Sequence, residues 1–124
     1  KVNVTALMTE KQVEEVSSNL NPSVESFVSI FAGRVADTGV DPIPLMKNAL
    51  DFLKDNSSCE LIWASPREVL NVMQADQIGC HVITATTDII KKIDKLGYDL
   101  TLFSLDTVKM FYEDATAAGY KVVE

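Results

Sequence analysis

The chain has 124 residues, of which 47 % are hydrophobic: enough for one compact domain with its own core, and too few for two of ordinary size. A formal net charge of -7 argues against sequence-independent binding to nucleic acid or to an anionic lipid surface, because both reward clustered Lys and Arg. Apolar runs stay well short of the roughly 18 to 20 residues that span a bilayer, and the start lacks the order of a secretion signal, so a soluble, cytoplasmic protein without a membrane partner is expected.

The chain opens on KVNVTALM (1–8), a run of strand length in which Asn3 and Thr5 share a face at period two. A polar pair inside an apolar strand needs partners, and either a buried hydrogen-bond network or a site would supply them. A start at Lys1 that runs directly into a strand suggests a processed, truncated or excised chain. A helix, EKQVEEVSSNL, is expected after Thr9, and the second strand, ESFVSIF (25–31), carries Ser29 with the same two explanations as Asn3 and Thr5. From about Pro42 a helix presents Ile43, Leu45, Met46, Ala49, Leu50 and Leu53 on one apolar face. The third strand, CELIWAS (59–65), collapses into Ser65-Pro66-Arg67. That tripeptide predicts a helix start, with Ser65 and Glu68 forming a Ser-x-x-Glu capping box and Pro66 at the first helical position. CHVITAT (80–86) is a fourth strand, followed by the helix TTDIIKKIDKLG ending at Gly97, and a last helix is expected from near Ser104 to Gly119.

Strand and helix thus alternate four times, which defines the α/β class with parallel strands joined by crossovers. Low-complexity segments and Pro-rich linkers are absent, so 1–124 is expected to be a single domain. Periodicity leaves open whether the sheet is doubly wound or part of a closed (β/α)8 barrel.

In either architecture ligands gather at the carboxyl ends of the strands. The chain has nine Lys and two Arg, and both arginines fall just past a predicted strand, Arg34 in SIFAGRVADTG and Arg67 in WASPRE. An arginine fork beside backbone N–H groups at a helix start suits an anion, a phosphate in particular. At the second position of a helix Arg67 opposes the helix dipole by roughly a few tenths of a kcal/mol, a sign that a bound anion reverses. For Arg34 the competing explanation is an ion pair with Asp37 or Asp41. Cys59, Cys80 and the lone His81 fit no zinc or iron spacing, so the cysteines read as buried free thiols and His81 as structural. Neither a Ser-His-Asp order, nor a Gly-rich phosphate loop, nor paired carboxylates at strand ends can be found.

NVTALMT, SIFAGRVADTG, WASPRE and GCHVITAT resemble, in that order, the fifth to eighth barrel strands of the transaldolase family, including its small fructose-6-phosphate aldolase-like members. The resemblance covers nearly the whole chain. It implies half of a (β/α)8 barrel, strands 5 to 8, from an enzyme that moves a three-carbon ketol unit between sugar phosphates through a Schiff base on lysine, with no metal or organic cofactor. Position by position, it implies that Arg34, Ser65 and Arg67 grip the substrate phosphate and that Asn3 hydrogen-bonds near the Schiff-base carbon and the sugar hydroxyls. Thr5 would help hold the catalytic water, and Ser29 would line the donor pocket. Ile30 stands where the family often has proline, and Pro66 where it often has an aromatic residue.

The same resemblance places the Schiff-base lysine on the fourth strand, the acid–base aspartate on the first and the water-activating glutamate on the third, all upstream of Lys1. A Schiff-base lysine must sit partly desolvated at the catalytic end of a strand. Lys1 is at the opposite end of its strand, and Lys91, Lys92 and Lys109 belong to helices, so the chain alone is expected to keep the phosphate grip and lack the chemistry. A non-catalytic sugar-phosphate-binding module or split-barrel partner is the alternative, and an open-sheet domain of flavodoxin type a third. A half-barrel also leaves two sheet edges and an apolar inner face open, so pairing with the missing N-terminal half, or self-association, is expected.

Overall fold

The computed structural model describes residues 1–121, in two compact units, Lys1–Ile93 and the segment from Asp94 onward. In the first unit four strands, β1 (Val2–Leu7), β2 (Ser26–Ile30), β3 (Cys59–Trp63) and β4 (Val82–Ile83), form one sheet in the order β1-β2-β3-β4. Every adjacent pair is parallel. This order decides what periodicity left open: a doubly wound sheet reverses its strand order at a switch point, whereas a barrel adds each new strand beside the last. The unit is the β/α repeat of a barrel, four strands of the eight that closure requires.

Five helices accompany these strands: α1 (Glu10–Asn19), α2 (Ala32–Asp37), α3 (Ile43–Leu53), α4 (Val69–Ile78) and α5 (Thr87–Lys92). The expected apolar face of α3 is the one that packs, with Leu45, Met46, Ala49 and Leu53 buried. They meet Val28 and Ile30 of β2, Leu61 and Trp63 of β3, Val13 of α1 and Ala75 of α4 in one core. Because side chains alternate along a strand, this core occupies one face of the sheet only.

The opposite face departs from expectation. It carries Asn3, Phe27, Ser29, Glu60 and Ile62, with Asn3 paired in register to Phe27, Phe27 to Glu60 and Ser29 to Ile62. Polar residues alternate there with the two apolar ones, so the face is not the uniformly apolar surface expected of an opened barrel.

α1 starts after Thr9 as expected, and Thr9 caps it: its hydroxyl accepts from the Gln12 N–H at 3.2 Å, and Gln12 Oε1 accepts from the Thr9 N–H at 3.1 Å. The other differences have local causes. The segment Ala32–Asp37, for which the sequence predicts no element, forms α2, whose Gly33 lowers helix propensity but is required by packing. The helix expected from Ser65 begins at Val69 instead. Ser65 lies at φ 57°, in the left-handed region, and the side chain of Asn71 takes up the Arg67 N–H at 2.7 Å and the Glu68 N–H at 3.1 Å. Pro66 disfavours the helical region for the residue before it, which is why the Ser-x-x-Glu box does not form. Ser65 is therefore not a helix cap, and Arg67 precedes the helix instead of opposing its dipole.

β4 shrinks from the expected 80–86 to two residues because side chains replace part of its ladder. His81 Nδ1 accepts from the Leu61 N–H at 3.0 Å, and Cys80 Sγ lies 3.4 Å from the Leu61 carbonyl oxygen. His81 is thus structural, as expected, while Cys59 is buried and Cys80 half-buried, both as free thiols. Burial pushes both thiols above their ordinary range.

The second unit contains α6 (Leu100–Ala117), which starts four residues before the expected Ser104. Asp99 caps it, its carboxylate accepting from the Leu102 N–H at 2.9 Å. Tyr98 packs edge-on against Phe103, with 5.7 Å between ring centroids, and donates its hydroxyl to Asp106 at 2.5 Å. Gly119 takes φ 83° just beyond the helix, as expected of a left-handed helix end.

Candidate functional site

The carboxyl ends of β2 and β3 are tied by backbone hydrogen bonds, from the Ala64 N–H to the Ile30 carbonyl at 2.9 Å and from the Gly33 N–H to the Ala64 carbonyl at 3.3 Å. The second bond brings the start of α2 onto the β3–α4 loop. A side chain at position 33 has no room: a Cβ there would fall 1.4 Å from the Ser65 carbonyl oxygen. Gly33 exists for this approach, and the approach sets Arg34 next to Ser65 in space although 31 positions separate them in sequence.

Arg67 leaves the same loop and reaches back to α2. Its Nε donates to Asp37 Oδ1 at 3.0 Å and its Nη2 to Asp37 Oδ2 at 2.5 Å, a two-point pair between half-exposed side chains. The Arg67 hydrogen bonds hold the Asp37 carboxyl below its ordinary range. Slight desolvation opposes that shift, and the charges of Arg67 and then Arg34 add to it. Asp37, offered by sequence as the counter-ion of Arg34, is instead the partner of Arg67, and it feels both arginines. Arg34 lies on the same short helix, 5.6 Å from the centre of the Phe31 ring. Ser65 and Arg67 thus share the loop that packs on Gly33, next to Arg34 in the chain, and the charges of both arginines act on Asp37.

A second pair sits on the inner face. Ser29 Oγ donates to Asn3 Oδ1 at 2.8 Å, so these two polar residues satisfy one another across the β1–β2 pair. The bond occupies the oxygen of Asn3 and leaves its Nδ2 group to donate elsewhere. Thr5 joins neither group. β1 shifts register between Val4 and Leu7, with Ala6 at φ 64°, so Thr5 lies in a bulge whose irregular backbone interrupts the period-two alternation with Asn3.

Sequence reasoning missed the buttressing residues: Gly33, Asn71, and Asp37 in its actual pairing. A Gly-Arg pair directly after a strand was the available signal for a close approach, but nothing local showed that the neighbour would be Ser65.

Among the described residues no group of three or more His, Cys, Asp and Glu side chains could hold a metal ion, and no helix is long and apolar enough to cross a membrane. Four parallel strands in sequential order, alternating with helices and with Arg34, Ser65 and Arg67 just past the carboxyl ends of β2 and β3, place the chain in the class of (β/α)-barrel proteins. Within that class, the sequence profile of the Transaldolase/Fructose-6-phosphate aldolase family matches residues 1–122, and the chain belongs to that family. A probable transaldolase of Ruegeria sp. (strain TM1040) is 31 % identical over 99 % of the chain and 53 % of its own length. Probable transaldolases of Thermoanaerobacter sp. (strain X514) and Nitrosopumilus maritimus (strain SCM1) are 27 % and 29 % identical, over 98 % and 94 % of the chain and 53 % and 50 % of their own lengths. The chain spans about half the length of these curated relatives, which accords with four strands of an eight-stranded barrel.

The Gly33 contact yields a direct check. Gly33→Ala forces either the Ser65 loop or α2 to move, and a loss of about 1 to 3 kcal/mol in unfolding free energy is expected. Urea denaturation measures it; an unchanged midpoint would contradict the close approach.

Proposed function

We propose that this chain is the phosphate-gripping half of a Schiff-base aldolase or transferase acting on sugar phosphates. The observation that carries the reading is the close approach of Gly33 to Ser65, which joins the segments carrying Arg34 and Arg67 past the carboxyl ends of β2 and β3, in a chain of this family. Two guanidinium groups and a hydroxyl supply the directional donors that a phosphate dianion accepts from, and Arg forks match its oxygens better than a point charge does. Asn3, with its oxygen held by Ser29, offers Nδ2 as a donor to the reacting carbonyl or a sugar hydroxyl. Ser29 fixes that orientation from the donor pocket. Thr5, on the bulge, is assigned to the catalytic water.

The lysine that would carry the imine is not supplied by the described strand ends. Lys1 stands at the amino end of β1, ion-paired to Glu25 at 3.0 Å and 5.0 Å from the centre of the Phe27 ring, and Lys91, Lys92 and Lys109 lie in α5 and α6. The chemistry is therefore assigned to an N-terminal half-barrel, and the partner of this chain to that half or to a second copy. Within the described residues β1 pairs only with β2 and β4 only with β3, so two edges are free to extend the sheet. The lysine placement also favours one alternative, a non-catalytic sugar-phosphate-binding or split-barrel partner module.

Titration with inorganic phosphate tests the grip: Arg34→Ala and Arg67→Ala are each expected to weaken binding about tenfold or more. Parent-like affinity in both variants would end the site assignment. Borohydride treatment of the purified chain with a sugar phosphate is expected to leave every lysine unmodified, and a trapped adduct on any of them would overturn the assignment of the imine elsewhere. Sedimentation equilibrium is expected to show concentration-dependent association of the chain with itself; a monomer at all concentrations leaves the N-terminal half as the partner.

A further inference from the structure

Arg67 is held before any ligand arrives. A guanidinium has two edges that can make a two-point contact, Nε with Nη2 and Nη1 with Nη2. Asp37 takes the first, and the side chain remains 47 % exposed, so the second edge stays open to an incoming group. The main chain of Arg67 is fixed as well, by its N–H bond to Asn71. Asp37 and Arg34 lie three positions apart on α2, so the carboxylate that anchors Arg67 also sits on the helix that carries the other arginine. Its negative charge interacts favourably with both arginines and offsets part of the repulsion between them, leaving a net positive charge for the ligand.

From this arrangement we infer that Asp37 is a positioning residue of the site: it holds Arg67 by the Nε/Nη2 edge so that the Nη1/Nη2 edge and Arg34 face the same anion. The inference rests on the phosphate reading given above. It excludes the opposite role, in which Asp37 is a resident counter-ion that the ligand must displace from the fork. The two roles have opposite signs. A positioning carboxylate strengthens phosphate binding, and a competing one weakens it.

Inorganic phosphate is the probe, titrated into the whole chain and into Asp37→Asn, Asp37→Glu and Arg67→Ala. Asp37→Asn keeps shape and removes charge, and about fivefold weaker phosphate binding with an unchanged melting temperature is expected. Asp37→Glu, which restores the carboxylate, is expected to recover most of the loss, a rescue that a purely structural role would not produce. The Nε–H signals give an independent readout, because the chain has only two arginines. One slowly exchanging Nε–H is expected in the parent, persisting at saturating phosphate and disappearing in Asp37→Asn. Equal or tighter binding by Asp37→Asn, or loss of the parent's protected signal when phosphate binds, overturns the inference and leaves the phosphate site standing. A parent that does not bind phosphate, or an Arg67→Ala variant that binds like the parent, overturns the phosphate reading and the inference with it.

Discussion

The approach of Gly33 to the Ser65 carbonyl is the contact on which the site depends. Parallel strands deliver β2 and β3 to the same edge, but register alone fixes only their backbones. What brings side chains together is the next step, in which α2 starts against the β3–α4 loop with no atom to spare at position 33. Ser65 accepts a left-handed backbone at that point, a conformation that costs a non-glycine residue roughly 1 kcal/mol and persists only where its surroundings enforce it. The chain positions of Arg34 and Arg67 are related through this contact. Position 34 follows the crowded glycine directly, and position 67 lies two residues past the strained serine.

Charge makes this local geometry more important. A chain of net charge -7 repels an anion at long range, and at physiological salt that field is screened beyond roughly 8 Å. Steering therefore contributes little, and an anion is held only by donors already in place where it lands. The two arginines of the sequence, each just past the carboxyl end of β2 or β3, would meet that requirement if they did not have to be ordered at the moment of binding. For Arg67 the Asp37 pair and the Asn71 bond to its backbone do that ordering beforehand.

Alternation of strands and helices was legible because each element carries its own period. The apolar face of α3 and the start of α1 after Thr9 could be read from neighbouring residues alone, and both are present. Strand order was not legible, since the same local pattern suits a doubly wound sheet and a barrel. The Ser65 cap failed for a related reason. Ser-x-x-Glu is a local signal, and it lost to a proline restricting the residue before it and to Asn71, whose side chain capped the helix four residues later. The two arginines could be singled out because both follow predicted strands, and strand ends are where such folds place ligands. Asp37 as the partner of Arg67 could not be found, because the pair spans 30 positions and depends on the Gly33 contact.

The two faces of the sheet explain how half of a barrel can hold a site at all. The outer face, with Val28, Ile30, Leu61 and Trp63 fully buried beneath Val13 and Met46, is a core complete in itself. At about 25 cal/mol per Å2 of apolar area removed from water, that face supplies the dominant favourable term for the unit. The inner face contributes little of this kind, because Asn3, Ser29 and Glu60 interrupt its apolar residues and Asn3 and Ser29 bond to one another. Opening a barrel along β1 and β4 therefore exposes two backbone edges more than it exposes a hydrophobic surface. Backbone groups at an edge bond to water until another strand replaces it, so the sheet can exist in four strands and still accept more. Arg34, Ser65 and Arg67 follow β2 and β3, the two strands that are not at an edge, so the Gly33 contact that relates them is set within the four strands.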